Sequence, residues 1–382
     1  ICRQTSNSLL KIKKMDQKKI SKINRVSYFR NRDLVNGLRL DSNEMITNWE
    51  DSHYKKIIKK IKNYDISTYP RDNYANLKLK ISKNLNIKQN CFHLTNGCDG
   101  AIKEFLLMNY NQNKKKEVLI LGDTYGMYNL YLHAFNYKKN EVNYLTIKDK
   151  YNFCKLNKKK FQQLIVKSQI VIIINPNHIS NHDFSYKEIS DLLKKYPKKE
   201  FFIDEAYYGY GCFSSINLTK KFSNIFVARS FSKQFGLASI RLGCLIANEK
   251  KIKAYHGIAQ PYLTNIFSAS IAEYFLDNYS LVKKRLKETI KGRNYLKKIF
   301  EKEKDFLINS SDSMSILIDL KSKSKMNYFS KKLDSKKIYT KKIIFSTSLK
   351  NHFCIRITLG PINMMKKFFK EFVAINHEYK KI

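Results

Sequence analysis

Long apolar runs are missing from this sequence of 382 residues. Its most apolar stretches, IVIIIN and SILIDL, have the length of single strands, whereas a helix that crosses a bilayer needs roughly 20 apolar residues. The N-terminus also lacks the basic and then apolar pattern of a signal peptide. We therefore expect no membrane insertion and a cytoplasmic location. Met15 is a candidate start of the native chain, with residues 1–14 as an upstream extension.

Paired cysteines are missing as well. The seven cysteines are scattered, include no CxxC pair and are odd in number, which indicates free thiols in a reducing compartment. No cluster of histidine, cysteine and carboxylate residues has the spacing of a metal site. We therefore predict neither a disulfide framework nor a bound metal.

Acidic residues are scarce, since 32 of them stand against 73 lysines and arginines, for a net charge of +41. Such a charge suits a surface for nucleic acid or anionic lipid. A nucleic-acid site, however, concentrates basic residues on one face with aromatic side chains among them, and here the lysines are spread along the whole chain. We expect a generally basic, solvated surface and no specific nucleic-acid partner; a nucleic-acid-binding protein on an enzyme scaffold remains the alternative.

The chain is 43% apolar and long enough for two domains. Four short apolar runs, EVLILGD, IVIIINPN, FFIDEAYY and NIFVARSF, each end at polar or small residues, and helical stretches such as SYKEISDLLKKY lie between several of them. This pattern predicts an α/β fold with a mostly parallel sheet between helices. We predict an N-terminal arm over residues 1–45, a large α/β domain over 46–265 and a smaller α+β domain over 266–382. One long helix after residue 265 would connect the two domains.

The polar residues that follow three of these runs suggest the chemistry, because ligands bind beyond the carboxyl ends of parallel strands. A lysine, an aspartate and a tyrosine (Lys233, Asp204 and Tyr207) suit a pyridoxal phosphate site. The lysine would form a Schiff base, and the aspartate would keep the pyridine nitrogen protonated. Residues suited to hold the phosphate are Ser230, Ser232, Arg241 and the turn Gly97-Cys98-Asp99 before a helix.

Each of these residues alone also has a purely structural interpretation. Asp204 suits a helix cap, Ser230 and Ser232 suit the cap of a following helix, and Tyr125 and Tyr128 suit a core. Cys98 is a small residue that permits a tight turn, with no predicted role for its thiol.

Seven collinear motifs tie these residues together. They are LRLDSNE, YPRDNYANLKLKI, LTNGCDGAI, TYGMY, NPNHISN, FIDEAYYGY and CIRITLGP, and they accompany the lysine segment SFSKQFGLASIRLG. Over residues 38–372 the chain resembles the fold-type I aminotransferases of class I/II, in particular the histidinol-phosphate aminotransferase group. The resemblance implies a large domain with a mostly parallel sheet, a smaller C-terminal domain, pyridoxal 5′-phosphate as cofactor and a homodimer with shared sites.

The resemblance also implies residue roles. Lys233 would bind the cofactor and then move the substrate's α-proton, Asp204 would pair with the ring nitrogen, and Tyr207 would bond the ring oxygen. The other residues implied to hold the cofactor are Gly97, Cys98, Asp99, Tyr125, His178, Ser230, Ser232 and Arg241, with Tyr69 reaching the site of the neighbouring subunit. On the substrate side the resemblance implies Arg356 as the carboxylate clamp, with Lys341 and Asn43 nearby.

Several positions depart from the family pattern. His178 stands where the family has asparagine, Ile179-Ser180-Asn181 replaces Pro-Thr-Gly, and Lys341 lies near a family arginine that binds a substrate phosphate. We predict an aminotransferase that moves an amino group between an amino acid, with glutamate as the expected donor, and a 2-oxo acid or phosphorylated carbonyl compound. The alternatives are a decarboxylase of the threonine-phosphate type and a cofactor-binding protein with decayed activity.

Overall fold

A computed structural model describes most of the chain beyond residue 35. The described residues are 36–62, 66–70, 74–111, 115–149, 152–180, 183–257, 259, 261–303, 305–310, 312–345 and 349–382. Met15, Asn181 and most of the predicted N-terminal arm lie outside them.

The strands are β1 (Leu38–Arg39), β2 (Phe92–Thr95), β3 (Glu117–Leu121), β4 (Lys138–Val142), β5 (Tyr144–Thr146), β6 (Cys154–Leu156), β7 (Ile170–Ile174), β8 (Glu200–Asp204), β9 (Ile225–Ser230), β10 (Gly243–Ile246), β11 (Leu307–Ser310), β12 (Ser315–Asp319), β13 (Ile338–Tyr339), β14 (Lys341–Ile343) and β15 (Cys354–Thr358). The α-helices are α1 (Asp51–Ile61), α2 (Ala75–Leu85), α3 (Gly97–Met108), α4 (Gly126–Ala134), α5 (Lys158–Lys167), α6 (Tyr186–Lys195), α7 (Glu249–His256), α8 (Ile266–Asp277), α9 (Tyr279–Phe300), α10 (Lys323–Ser335) and α11 (Ile362–Tyr379).

Seven strands form the large sheet, in the order β2-β10-β9-β8-β7-β3-β4. The neighbours from β9 through β4 are parallel, whereas β10 runs antiparallel to both β2 and β9. The four apolar runs in the sequence are β3, β7, β8 and β9, and all five residues of β7 are buried. The predicted α/β fold with a mostly parallel sheet is confirmed.

Both faces of the large sheet are covered, which explains why its central strand β7 is apolar at every position rather than at alternate ones. In β7, Val171 and Ile173 belong to one hydrophobic core, while Ile170, Ile172 and Ile174 belong to the core on the opposite face. Helix α3 contributes Ile102, Phe105 and Leu106 to the second of these cores, as its sequence pattern predicts.

A four-stranded antiparallel sheet, in the order β11-β12-β15-β14, forms the smaller C-terminal unit. Its core includes Leu38, Leu40 and Ile46, and β1 pairs in parallel with β13. The part of the predicted N-terminal arm that the structure describes, from residue 36 to residue 45, therefore packs on the smaller unit. The predicted boundaries at residues 45 and 265 remain predictions.

The single connecting helix predicted after residue 265 is wrong, because Asn278 divides the segment into α8 and α9. Asn278 has non-helical backbone angles, and its side-chain Nδ2 donates to the carbonyl of Tyr274 at 2.8 Å, which satisfies the end of α8. Helix α9 makes the connection, since Val282 and Leu286 lie in the larger unit's core and Leu296 and Phe300 in the smaller one.

Within the described residues, no helix combines the length and apolar character that membrane crossing requires. The same residues contain no group of three or more histidine, cysteine, aspartate or glutamate side chains arranged to hold a metal ion.

Candidate active site

The carboxyl ends of β7, β8 and β9 lie side by side at one edge of the large sheet. Asp204 pairs with Ile174 on one side and with Ala228 on the other. The backbone N–H groups of Asn175 and Glu205 continue this ladder past the strand ends, each at 3.0 Å from its acceptor. The segments that follow these strands, which hold the predicted lysine, aspartate and tyrosine, therefore start from adjacent points.

An anion cradle forms beside the end of β9. Arg241 adopts a left-handed backbone with φ of 52°, and its guanidinium lies 3.4 Å from Ser232 Oγ and 3.1 Å from Asp99 Oδ2. The Ser232 N–H donates to Ser230 Oγ at 3.0 Å. The hydroxyls and guanidinium thus gather at the N-terminus of α3, where free N–H groups favour an anion.

Two glycines shape this cradle. Gly97 has φ of +67°, and a Cβ there would lie 2.9 Å from Arg241 Nη2. A Cβ on Gly243 would lie 2.7 Å from the carbonyl carbon of Gly97 and 2.7 Å from the carbonyl oxygen of Arg229. Only glycine at both positions lets β10 touch the first turn of α3, so the cradle stays open to a ligand.

Asp204 is buried at the end of β8, with 4% of its surface exposed. Its Oδ2 accepts a 2.7 Å hydrogen bond from the Tyr128 hydroxyl, and its Oδ1 accepts a 2.9 Å bond from the Ala206 N–H. Burial raises the pKa of Asp204, and these bonds, together with one from the Cys98 thiol, oppose that rise. The Cys98 side chain does more than permit a turn, because its thiol contacts this carboxylate.

Lys233 is half-buried just beyond β9. Burial, followed by the positive charge of Arg356, lowers its pKa to about 8. The Tyr210 hydroxyl donates to the Lys233 carbonyl at 2.9 Å and so fixes the backbone from which the amine extends. A lysine of lowered pKa supplies a free amine, which is the nucleophilic form.

A second group of predicted site residues consists of Tyr207, His178 and Asn43. Asn43 Nδ2 donates to the Tyr207 hydroxyl at 3.0 Å, and the rings of Tyr207 and His178 have centroids 6.0 Å apart. Burial and the charge of Arg356 lower the pKa of His178 to about 3, so its imidazole is neutral and keeps one N–H to donate. Arg356 itself donates to the carbonyl of Asp41 at 2.9 Å.

Three other predicted residues lie further out. Tyr125 immediately precedes α4 and is partly buried against the same core as Cys98. Lys341 is exposed on β14. Tyr69 is 74% exposed, and its ring stacks on that of Tyr262 with centroids 4.9 Å apart, so it does not join the buried cluster of its own chain.

A buried ion pair supports the site and was not predicted from the sequence. Arg229 Nε lies 2.7 Å from Glu205 Oε2, and its guanidinium stacks on the Tyr208 ring at 3.4 Å. These residues flank Ser230 and Asp204, so the pair ties the ends of β8 and β9 together.

Tyr128 was missed as a site residue too, although its position three residues after Tyr125 puts both on one side of a helical turn.

Comparison with known proteins identifies the family. The pattern of the family "Aminotransferase class I and II" matches residues 35–372. The chain belongs to this family. It is therefore a pyridoxal-phosphate-dependent transaminase, whose substrates are small molecules.

Three known proteins are similar to this aminotransferase in sequence or in structure. A histidinol-phosphate aminotransferase from Pyrococcus furiosus is 26% identical over 345 residues, which cover 87% of this chain and 92% of that one. The structure of the histidinol-phosphate aminotransferase from Sinorhizobium meliloti in complex with pyridoxal 5′-phosphate has a TM-score of 0.79 to this chain, with 16% identity. The match covers 97% of this chain and 100% of that one. The L-threonine-O-3-phosphate decarboxylase from Porphyromonas gingivalis has a TM-score of 0.74 with 16% identity, covering 88% and 99%.

The residues present fit the cofactor of this aminotransferase family. The anion cradle has the hydrogen-bond donors that a phosphate group needs. A Cβ on Gly97 or Gly243 would obstruct it. Asp204 is a buried carboxylate, which suits a protonated ring nitrogen, and Lys233 is an amine of lowered pKa. The bound cofactor supplies a ring that accepts the electron pair left when a bond to the substrate's α-carbon breaks.

Proposed function

We propose that this aminotransferase moves an amino group from glutamate to a carbonyl compound that carries a second anionic group, such as a phosphorylated one. The observation that carries the proposal is the register between β14 and β15, where Lys341 lies directly opposite Arg356. Cross-strand partners project their side chains from the same face of a sheet, so two cations lie side by side there. The charge of Arg356 also lowers the pKa of Lys233, which supports a position of Arg356 near the amine.

The two cations have different chemistry. The planar fork of Arg356 makes two parallel hydrogen bonds to a carboxylate, whereas the Lys341 ammonium is a point charge that suits a phosphate or a second carboxylate. We assign carboxylate binding to Arg356 and the distal anion to Lys341. We assign Asn43 to the substrate side as well, where its Nδ2 donates to the Tyr207 hydroxyl at 3.0 Å.

The family resemblance suggests the roles that we assign around the cofactor, and the contacts of these residues support them. Lys233 binds the cofactor and moves the substrate's α-proton, Asp204 holds the ring-nitrogen proton, and Tyr207 with His178 donates to the ring oxygen. Tyr125 covers the ring. The residues that hold the phosphate are Gly97, Cys98, Asp99, Ser230, Ser232 and Arg241.

A pair of neighbouring lysines tests the substrate class. We expect Lys341→Gln to lower kcat/KM about tenfold for a substrate that carries both a carboxylate and a phosphate, such as phosphoserine, and to change little for serine, because one exposed charge contact is lost. Lys342→Gln is the matched control, since Lys342 projects from the opposite face and bonds Asn327 at 3.1 Å. Equal losses with both variants, or with both substrates, would contradict the assignment of Lys341.

The pKa of Lys233 predicts how cofactor capture depends on pH. Capture requires the deprotonated amine, so its rate should rise about tenfold per pH unit below the pKa and level off above it. With a pKa of about 8, the midpoint lies near pH 8 and not near the ordinary value of 10.5. Stopped-flow measurement of pyridoxal phosphate binding to the cofactor-free protein gives this profile. A rate still rising steeply at pH 10 would show that the amine is not perturbed.

We further propose a homodimer in which Tyr69 serves the neighbouring subunit's site. Tyr69 and Tyr262 form a stacked pair of exposed rings, 74% and 50% exposed, and Ile66 and Phe267 are exposed at 72% and 47%. Exposed apolar side chains of this kind are typical of a surface that a partner covers. The phenol of Tyr69 would then reach the phosphate bound by the partner.

Subunit exchange tests the shared site. Lys233→Ala and Tyr69→Ala proteins should each be impaired, and a mixture should recover up to about a quarter of the wild-type activity, because half of the protomers enter mixed dimers and each mixed dimer holds one intact site. Separate mixing of each variant with an inert protein is the control. Sedimentation as a monomer, or a mixture no more active than the mean of its components, would contradict the shared site.

The second candidate is a decarboxylase that acts on a phosphorylated amino acid, like the similar L-threonine-O-3-phosphate decarboxylase from Porphyromonas gingivalis. It requires the same two cations, because its substrate carries both a carboxylate and a phosphate. Release of carbon dioxide from threonine phosphate, with no amino transfer from glutamate, would favour it. A protein that binds the cofactor and does neither would be a decayed enzyme.

A further inference from the structure

Tyr128 occupies a position that the assigned chemistry does not explain. It lies in the first turn of α4, its side chain is fully buried, and its hydroxyl is 2.7 Å from Asp204 Oδ2. The two residues are 76 positions apart in the chain, so the fold brings this bond together. A phenol this deeply buried must donate to some acceptor, and the fold supplies the one carboxylate assigned to the cofactor ring.

The hydrogen bond has a fixed direction. Burial and the nearby Asp204 charge raise the pKa of Tyr128 well above its ordinary value, so the phenol remains protonated and donates at every physiological pH. The other oxygen, Asp204 Oδ1, accepts from the Ala206 N–H at 2.9 Å. The carboxylate is therefore held from two directions, and each donor stabilises its charged form.

We propose that Tyr128 is a positioning residue that sets the proton affinity of Asp204, and through Asp204 the protonation of the cofactor's ring nitrogen. The proposal rests on the role assigned to Asp204 under the proposed function. Without the Tyr128 hydroxyl, Asp204 becomes more basic and takes a larger share of the proton that it shares with the ring nitrogen. The ring then accepts electrons less readily, and proton removal from the substrate slows.

The size of the effect follows from the type of bond. Loss of a hydrogen bond to a charged group corresponds to about a tenfold to hundredfold change in an equilibrium or rate. We expect Tyr128→Phe to lower kcat by about that factor, while the protein still binds the cofactor through Lys233.

The test compares Tyr128→Phe with Tyr137→Phe. Tyr137 is a matched control because it is a buried tyrosine of the same core whose hydroxyl donates at 2.7 Å to the Leu106 carbonyl instead. Both variants are loaded with pyridoxal phosphate labelled with nitrogen-15 in the ring, whose chemical shift reports protonation, and with the 1-deaza analogue, in which a C–H group replaces the ring nitrogen. We expect Tyr128→Phe to move the nitrogen signal towards the unprotonated position, and Tyr137→Phe to leave it in place.

The kinetic comparison separates this role from simple packing. Tyr128→Phe should slow the enzyme with the normal cofactor and have less than about a threefold effect with the deaza analogue, because the atom on which it acts is missing. An Asp204→Asn background should likewise remove most of its effect. Equal slowing with both cofactors and in both backgrounds would overturn the proposal and leave Tyr128 a packing residue. If Asp204→Asn itself changes neither the rate nor the nitrogen signal, the role of Asp204 fails and the proposal fails with it.

An isosteric replacement covers the case in which Tyr128→Phe does not fold. 3-Fluorotyrosine in place of Tyr128 keeps the hydroxyl and makes it a stronger donor. The proposal then predicts a shift of the nitrogen signal towards the protonated position, opposite to the shift expected for phenylalanine. An unchanged signal would overturn it.

Discussion

Lys233→Ala is expected to abolish the covalent attachment of pyridoxal phosphate and to lower the transamination rate by a factor of about 10⁴ or more. Two functions would be lost together, because we assign to this amine both the covalent bond to the cofactor and the movement of the substrate's α-proton. The chain contains many lysines, but the amine of Lys233 combines a pKa of about 8 with a position where the charges of Arg356 and of the cradle residues Arg241 and Asp99 act on it. The measurement is the visible absorption band of the bound cofactor, together with steady-state rates.

A second lysine provides the control for this variant. Lys199 is also half-buried with a lowered pKa, but its Nζ donates to the carbonyls of Val166 and Ser168 at 3.0 and 2.6 Å. Lys199→Ala should keep the band and the activity. A small amine such as methylamine, added to Lys233→Ala, should restore part of the proton transfer. Retention of the band in Lys233→Ala would disprove the assignment.

Arg356→Gln is expected to lower kcat/KM for amino-acid substrates by a factor of about 100 or more. A substrate carboxylate would lose a charged, bidentate partner inside a largely enclosed site, and such losses are large. Because the carboxylate is bound both before and during the reaction, most of the loss should appear in KM.

The same variant has a second, independent readout. The charge of Arg356 helps to hold the pKa of Lys233 below its ordinary value, so its removal should move the midpoint of cofactor capture to higher pH. Arg39→Gln is the control, since Arg39 is an arginine of the same smaller unit whose guanidinium donates to the Ile46 carbonyl at 3.1 Å. If Arg356→Gln changes neither KM nor the pH midpoint, Arg356 does not face the substrate.

Much of the fold could be predicted from the sequence because the central strands carry a strong signal. Continuous apolar runs such as Ile170–Ile174 can be buried only where helices cover both faces of a sheet, and the polar residues after them mark the carboxyl edge. The break between α8 and α9 was missed because helix propensity is high on both sides of Asn278. Its effect depends on one side-chain bond to a helix-end carbonyl.

The contacts around the site could be predicted less well, since they join residues distant in the chain. The bond from Tyr128 to Asp204 and the ion pair between Arg229 and Glu205 depend on how strands and helices pack, and local patterns do not encode that packing. The sequence suggested no role for the Cys98 thiol, because nothing local places it against a carboxylate. These residues contact or flank groups to which we assign roles on the cofactor.

The central claim is that glutamate passes its amino group to a cofactor held by Lys233. The most direct test adds glutamate, without any acceptor, to the purified protein loaded with pyridoxal phosphate, and follows the visible absorption band while 2-oxoglutarate is measured. We predict that the band bleaches and that one 2-oxoglutarate is released for each cofactor. A band that persists with glutamate and other amino donors, with no oxo acid released, would contradict the claim.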